Sequence, residues 1–369
     1  MESTVRDTER LLRLSGYFGR RNAILVGRDV TGLILLIREL SPEGGRVILP
    51  ATACMTRLSA VLVAGRKPVV VDIDKSLNMD PAKLEEVARE GDLVIGIHLF
   101  GYPFRVDHIA EICNKKGCVL IEDASQGVGG KIDGKPMGSF GRASVLSFSD
   151  RKLLPTKGGG AVLTDDSDLY ARLMKSAEEL PDRAGDYSEK KSAYIKELAP
   201  IFRAARLEDK SQAAKWFEIY KKYPDIYLFA MTSEQAESVS DSVAEFDDII
   251  RQRRELIYLL RKNIDDSLVQ VVQYPVESSP FRFTFVMPEE MTAEAVENCC
   301  NELKEAGMDV TNLYLPLTWL APDEIESTGC PVAESIARRI VNLRISDTTT
   351  RAKINIAGSI IDRHAKVAL

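Results

Sequence analysis

The stretch Val145-Leu-Ser-Phe-Ser-Asp-Arg-Lys152 continues through Leu153-Leu-Pro-Thr-Lys157 into Gly158-Gly-Gly-Ala-Val-Leu-Thr-Asp-Asp166. An apolar run of strand type reaches Phe148, breaks into polar residues that end in a lysine, and passes a glycine cluster into a second short strand. A lysine just past the end of a buried strand can be desolvated and kept partly neutral, which makes its amine nucleophilic. That is the chemistry of a Schiff base to a carbonyl cofactor. The competing reading is a solvated loop lysine, the usual state of this residue type.

Upstream, the pattern from Arg46 to Glu122 alternates strictly. Val47-Ile-Leu, Pro68-Val-Val-Val-Asp-Ile, Leu93-Val-Ile-Gly-Ile-His98 and Cys118-Val-Leu-Ile-Glu122 read as strands, separated by helices over 53–64, 81–89 and 106–116. Continuous Val/Ile/Leu strands divided by helices predict a parallel sheet covered on both faces. Ligands of such sheets bind beyond the carboxyl ends of the strands. Those ends carry Pro50 to Cys54, Asp72 to Asp74, His98 to Gly101 and Glu122-Asp-Ala-Ser-Gln126. Asp123 follows the apolar run 119–121 and precedes Gly127-Val-Gly-Gly. Buried, its carboxylate needs a cation or several donors; otherwise it serves as a helix N-cap. Further upstream, the strand Ala23-Ile-Leu-Val ends at Gly27-Arg28-Asp29, and residues 30–40 are apolar on nearly every side, as in a buried helix. Behind a glycine turn, the free amides of such a helix start suit a phosphate, with Arg28 as charged partner.

The bulk numbers narrow the class. The chain has 369 residues, enough for two or three domains, with 45% hydrophobic and 28% charged residues. A net charge of -6 and a pI near 5.4 argue against nucleic acid as a main partner. No apolar run has the length of a membrane span and the N-terminus has no signal-peptide character. Six cysteines without metal-ligand spacing read as reduced thiols of a cytoplasmic protein, and three histidines make a histidine-rich metal site unexpected. An amphipathic helix is expected over 4–16, a charged helical insertion with few apolar positions per turn over 167–226, and one long amphipathic helix over 233–262. Beyond Val269 the pattern becomes α+β: a strand over 281–286, a helix over 292–306, a strand near 308–311 and a helix over 331–342. The expected division is a large domain over 1–240, carrying the insertion, and a small α+β domain over 241–369.

With these residues in place the chain resembles the DegT/DnrJ-type aminotransferases, fold-type-I enzymes that use pyridoxal phosphate and often act on nucleotide-linked keto-sugars. The resemblance rests on Gly65 with Pro68-Val-Val-Val-Asp-Ile-Asp, His98-Leu-Phe-Gly-Tyr-Pro, Glu122-Asp-Ala-Ser-Gln, Gly138-Ser-Phe-Gly, Ser147-Phe-x-x-x-Lys152 and the tail from Cys330. It implies an α/β fold of the fold-type-I class, with a mostly parallel doubly wound sheet in the large domain. It also implies a homodimer with small-molecule substrates. Carried over residue by residue, it makes Lys152 the cofactor lysine in preference to Lys157 and pairs Asp123 with the pyridinium nitrogen. It lays Gln126 against the ring hydroxyl side, gives Ser147 to the phosphate, and makes Gly27-Arg28-Asp29 the phosphate turn.

Some positions depart from the family pattern. Cys54 stands where an aromatic usually stacks on the cofactor, Arg28 replaces a hydroxyl residue, Leu228-Phe-Ala230 replaces an Asn-x-Arg that reaches the partner's cofactor, and Leu153 replaces an Asn. Amino transfer to a keto acceptor is the expected reaction. Elimination on a modified sugar is the second reading, disfavoured by a lysine where the family's dehydratases carry histidine. A non-catalytic relative that acts as a binding partner is the third. A dinucleotide site is set aside, since Gly27-Arg-Asp-Val-Thr-Gly lacks the G-x-G-x-x-G turn.

Overall fold

The computed structural model describes residues 11–368 apart from 150–151, 153–155, 243–245, 274, 276, 280, 313 and 347. Strands β1 (Asn22–Val26), β2 (Arg46–Pro50), β3 (Lys67–Val71), β4 (Leu93–Ile97), β5 (Val119–Asp123), β6 (Ala143–Ser147) and β7 (Gly160–Thr164) build the first sheet. Its order is β1-β7-β6-β5-β4-β2-β3, with the two-residue strand Glu326–Ser327 added outside β3. All pairings are parallel except those of β7, which runs against both β1 and β6. A mostly parallel sheet is therefore observed, as the alternating pattern predicts. The reversal at β7 is what lets the chain return from the Lys152 loop alongside β6.

Helices α1 (Asp29–Leu40), α2 (Met55–Val63), α3 (Pro81–Val87) and α4 (Val106–Lys116) connect these strands. In α1 every residue from Asp29 to Ile37 is buried. It packs between the sheet, α2 and the helix Ser167–Glu178, which is why its sequence is apolar all round rather than striped. Gly160 is required at the start of β7, because a Cβ there would collide with the backbone of Arg28 and Asp29. The start of α1 is thus pressed against the sheet edge next to the end of β6.

The second sheet comprises Gln270–Val271, Arg282–Val286, Ile340–Arg344 and Asp309–Thr311, antiparallel in that order. Its core, which includes Phe283, Phe285, Cys299 and Leu343, is shared with the helices Ala293–Glu305 and Arg351–Ala368. The segment from Leu315 to Ile340 returns to the first core, where Leu317, Trp319 and Leu320 are buried.

Three sequence expectations change, and one helix is new. The helix expected over 331–342 ends at Ile336, and Ile340–Arg344 is the central strand of the second sheet. Its β-branched and leucine residues fill both faces of a buried strand, a pattern that periodicity cannot separate from a helix. Residues 233–262 form two helices, Ser233–Ser242 and Phe246–Lys262, with 243–245 outside the described residues. The closing helix Arg351–Ala368 had no sequence expectation attached. The 167–226 region is helical but far from apolar-poor: Tyr194, Phe202 and Trp216 are buried in the first core. Of the expected N-terminal helix, only residues from 11 onward are described, and they are helical to residue 17.

Candidate active site

Four charged side chains meet where the carboxyl edge of the first sheet faces the start of α1. Asp123 closes β5 and is 2% exposed. Arg57, on the first turns of α2 and 4% exposed, holds it with a two-pronged guanidinium contact: Nε donates to Oδ2 at 2.5 Å and Nη2 to Oδ1 at 3.1 Å. The third prong, Nη1, ion-pairs with Asp29 Oδ2 at 2.9 Å. The Ser125 amide also donates to Asp123 Oδ1 at 3.0 Å. Lys152 completes the group, electrostatically coupled to Asp29, Arg57, Asp123 and Cys54.

Each charge sets its neighbours. Burial works to raise the Asp29 pKa, yet Arg57, then Lys152 and Arg28, hold it well below the usual carboxylate range. Burial likewise opposes the Arg57 charge, but Asp123 and Asp29 keep the guanidinium protonated well above its ordinary value. For Lys152 burial dominates. It lowers the amine's pKa below that of a free lysine, with Asp29 opposing. The amine lies over the Phe281 ring, 4.8 Å from its centre. A partly desolvated amine of lowered pKa is the nucleophile that the sequence points to. Lys157, its rival, is a surface cation paired with Glu234 at 2.5 Å.

The remaining expected residues line the same cleft. Ser147, last residue of β6, is 2% exposed and its hydroxyl has no hydrogen-bond partner among the described residues. The N-cap of α1, Arg28, supplies no side-chain cap to the first-turn amides. Its Nη1 instead donates to the Ile226 carbonyl at 2.8 Å. Gln126 accepts the Phe100 amide on Oε1 at 3.0 Å, which leaves its NH2 to donate into the cleft. Cys54 is the N-cap of α2, half-buried, with the Thr56 hydroxyl donating to its sulfur at 3.4 Å. Leu228-Phe-Ala230 lies against its own chain: the Phe229 carbonyl accepts the Gly27 amide at 3.1 Å, and the Tyr227 carbonyl accepts the Thr31 hydroxyl at 2.7 Å. Asp150, Arg151 and Leu153, which flank the lysine, lie outside the described residues.

Sequence reading missed Arg57, Phe281 and Tyr314. Tyr314 is pushed up to about 12 by burial and senses Arg282, Cys54 and Arg57, and its ring meets Phe100 edge-on at 4.6 Å. The charge of Arg57 on an otherwise apolar helix was the available signal. The aromatics carried none, since their loops come from the distant second sheet. His98 and Glu122, at neighbouring strand ends, serve the fold. His98 Nε2 meets Glu122 at 2.6 Å, and Glu122 accepts the amides of Gly138 and Phe140 at 2.6 and 2.7 Å.

An unused buried hydroxyl, an uncapped helix start and a desolvated lysine backed by carboxylates are the parts of a site for an anionic carbonyl cofactor. The residues fit pyridoxal phosphate: the Ser147 hydroxyl and the α1 amides suit its phosphate and Lys152 its carbonyl. Asp123 suits its ring nitrogen, with both oxygens already engaged by Arg57. Among the described residues no group of three His, Cys, Asp or Glu side chains could hold a metal, and no helix is long and apolar enough to cross a membrane.

Fold and site together define a transferase of the mostly parallel, lysine-bearing α/β class. The chain belongs to the DegT/DnrJ/EryC1/StrS aminotransferase family, whose profile matches residues 4–361. It is 27% identical over 315 residues to GDP-perosamine synthase of Escherichia coli O157:H7, covering 84% of this chain and 76% of that one. It is 35% identical over 150 residues to UDP-N-acetyl-3-dehydro-alpha-D-glucosamine 3-aminotransferase of Acidithiobacillus ferrooxidans, over 40% of each chain. Several other curated relatives are likewise matched over less than two thirds of their length. The E. coli GDP-4-keto-6-deoxy-D-mannose-3-dehydratase with bound hydrated PLP shares the fold, with a TM-score of 0.74 and 20% identity. That match covers 96% of this chain and 91% of that one. The expected family, fold class and aminotransferase assignment are borne out.

Proposed function

We propose that this chain binds pyridoxal phosphate at Lys152 and moves an amino group from an amino-acid donor to a keto acceptor, with a nucleotide-linked keto-sugar as the acceptor class. The observation that carries it is the desolvated Lys152 amine next to Asp29, Arg57 and Asp123, with the unpartnered Ser147 hydroxyl and the open start of α1 nearby. The sugar acceptor is supported by the names of the relatives alone.

When bound, the cofactor supplies a carbonyl carbon for the amine and an electron-accepting ring. The chain's own residues do the rest. The amine of Lys152, with its pKa lowered, is neutral in a larger fraction at neutral pH than a free lysine, so it can attack a carbonyl and take up or release a proton. Asp123 is oriented by the Arg57 fork and would be the partner of the ring nitrogen. Gln126 presents its NH2 to the ring hydroxyl side, because the Phe100 amide already occupies its oxygen. Ser147 and the α1 amides hold the anionic end.

The division into a cofactor-binding unit over 1–240 and a C-terminal unit over 241–369, a homodimer and a cytoplasmic location belong to the same proposal, supported by the family resemblance. The test is a titration of the purified protein with pyridoxal phosphate. A visible absorption band saturates in the native chain and is lost in Lys152→Ala. Mixing with L-glutamate then converts it to the absorption of the amine form. A protein that stays colourless at saturating cofactor overturns the proposal. One that binds cofactor but never exchanges it across a panel of amino donors supports the non-catalytic reading instead.

A further inference from the structure

Arg282 opens the strand Arg282–Val286, and side-chain alternation decides where it points. Phe283 and Phe285 enter the core of the second sheet, so Arg282 and Thr284 turn to the other face. There the strand is pinned to the first unit by Tyr102, whose hydroxyl donates to the Arg282 carbonyl at 3.0 Å and accepts the Thr284 amide at 3.1 Å. The Arg282 side chain is buried, at 8% exposure, and its Nε and Nη1 have no hydrogen-bond partner. Its guanidinium carbon lies 5.0 Å from the centre of the Phe281 ring, the ring that also carries the Lys152 amine at 4.8 Å. The Tyr314 hydroxyl senses the Arg282 charge, and the Tyr314 ring packs on Phe100, whose amide donates to Gln126. Arg282 therefore belongs to the wall of the Lys152 cleft, contributed by the second sheet.

A buried guanidinium with unused donors is costly unless an anion completes it. Among the described residues no ion pair is found for Arg282, in contrast to Arg57, whose three nitrogens are all committed to side chains. We propose that Arg282, with the Tyr314 hydroxyl beside it, is a carboxylate-binding subsite facing Lys152, which takes the carboxylate of the amino-acid donor or of a carboxylate-bearing acceptor. A planar guanidinium matches a carboxylate in geometry as well as charge. The Phe281 ring lies within 5.0 Å of both cations. It also gives the carbon skeleton of the ligand an apolar surface to lie on. The donor arm of this assignment rests on the aminotransferase reading; the anion subsite itself does not.

The test uses the full chain with Arg282→Met, which keeps an apolar stem, and Arg282→Lys, which keeps the charge. Thermal unfolding of each variant checks that it folds. Calorimetric titration with glutarate, a dicarboxylate with no amine to react, reads the subsite with or without cofactor. Binding to the native chain that weakens ~10-fold to ~100-fold in Arg282→Met and is partly restored in Arg282→Lys is the expected result. In the cofactor-loaded protein, a donor role raises the KM for L-glutamate by a similar factor with kcat changed far less. Reaction with 1-phenylethylamine, which has no carboxylate, falls by a smaller factor than reaction with L-glutamate. An acceptor role leaves the L-glutamate KM alone and raises the KM for a keto-uronate acceptor but not for a neutral keto-sugar. Glutarate binding equal in the native chain and Arg282→Met, or absent from both, overturns the subsite. If the chain takes up no pyridoxal phosphate the proposed function falls, while the glutarate titration still decides Arg282.

Discussion

Removing Arg57 strands two buried carboxylates, and the consequence can be worked from the structure. Asp123 and Asp29 are 2% and 7% exposed, and both lean on the one guanidinium. With charge centres about 4 Å apart and an effective dielectric near 20, each pair contributes about 4 kcal/mol of attraction. Part of that is offset by the desolvation of the guanidinium itself, and Lys152 stays behind as a partial substitute cation for Asp29. Breaking a buried pair from one side costs about 3–5 kcal/mol, and Arg57→Met is expected in that range at pH 8, measured by urea unfolding. The pH dependence has a definite sign. In the native chain Asp29 has a depressed pKa, so its contribution is fully present above about pH 4, the unfolded value, and lost as pH falls through the folded one. In Arg57→Met a stranded carboxylate has a raised pKa instead, so protonation relieves the strain as pH falls. The gap between native and variant is therefore widest at pH 8 and narrows toward pH 5. Adding Asp123→Asn to Arg57→Met recovers part of the loss at pH 8 by removing one stranded charge. A gap below about 1 kcal/mol at pH 8, or one that does not change with pH, refutes the charge-triad reasoning.

Two further outcomes follow from single side chains. Ser147→Ala removes a buried hydroxyl with no hydrogen-bond partner among the described residues, so the cofactor-free chain should unfold at the same temperature or slightly higher, while its affinity for pyridoxal phosphate falls about tenfold. A large loss of stability without cofactor, read by calorimetry, contradicts the idea of a hydroxyl kept for a ligand. Trp216→Ala opens a cavity in the first core and leaves the Tyr194 hydroxyl without the Trp216 indole N–H that donates to it at 3.0 Å. A loss of about 3–5 kcal/mol is expected, with a single cooperative transition. Separate melting of the 167–226 helices in Trp216→Ala or in the native chain would show that they are not part of that core.

The sheet was legible because its strands are buried on both faces and its helices are short, which leaves an unambiguous alternation from Arg46 to Glu122. Asp123, Lys152 and the Gly27 turn stood out as candidates because each sits at or just past a strand end, where such a sheet gathers its ligands, whereas Ser147, the role of Gln126 and the choice of Lys152 over Lys157 rest on the resemblance. The C-terminal third was harder. Residues 331–344 mix apolar and polar positions at a spacing that a helix could carry throughout, and no Gly or Pro separates the short helix from the strand that follows, so periodicity could not divide them. The aromatic content of 187–226 is spread at intervals among charges, and its burial depends on which face meets α2 and the start of α1. Phe281, Arg282 and Tyr314 come near Lys152 through long-range contacts with no local signature, among them Tyr102 on the Arg282 carbonyl and Thr284 amide and the Phe281 amide on the Phe100 carbonyl.

The charge pattern of the cleft joins these residues into one design. Lys152, Arg57, Arg28 and Arg282 surround it, against only Asp29 and Asp123 among its assigned carboxylates. Arg57 is consumed internally, in holding the two carboxylates in place and the Asp29 pKa down. That leaves the positive start of α1, with Arg28 and the Ser147 hydroxyl, on the first sheet and Arg282 with Tyr314 from the second, and the Lys152 amine on the Phe281 ring that also carries Arg282. Uncompensated buried donors in two places call for two anions rather than one. A phosphate at the α1 start and a carboxylate at Arg282 would both be satisfied beside the same amine. Such a layout suits an enzyme that must hold a phosphorylated cofactor permanently and admit an amino acid beside it.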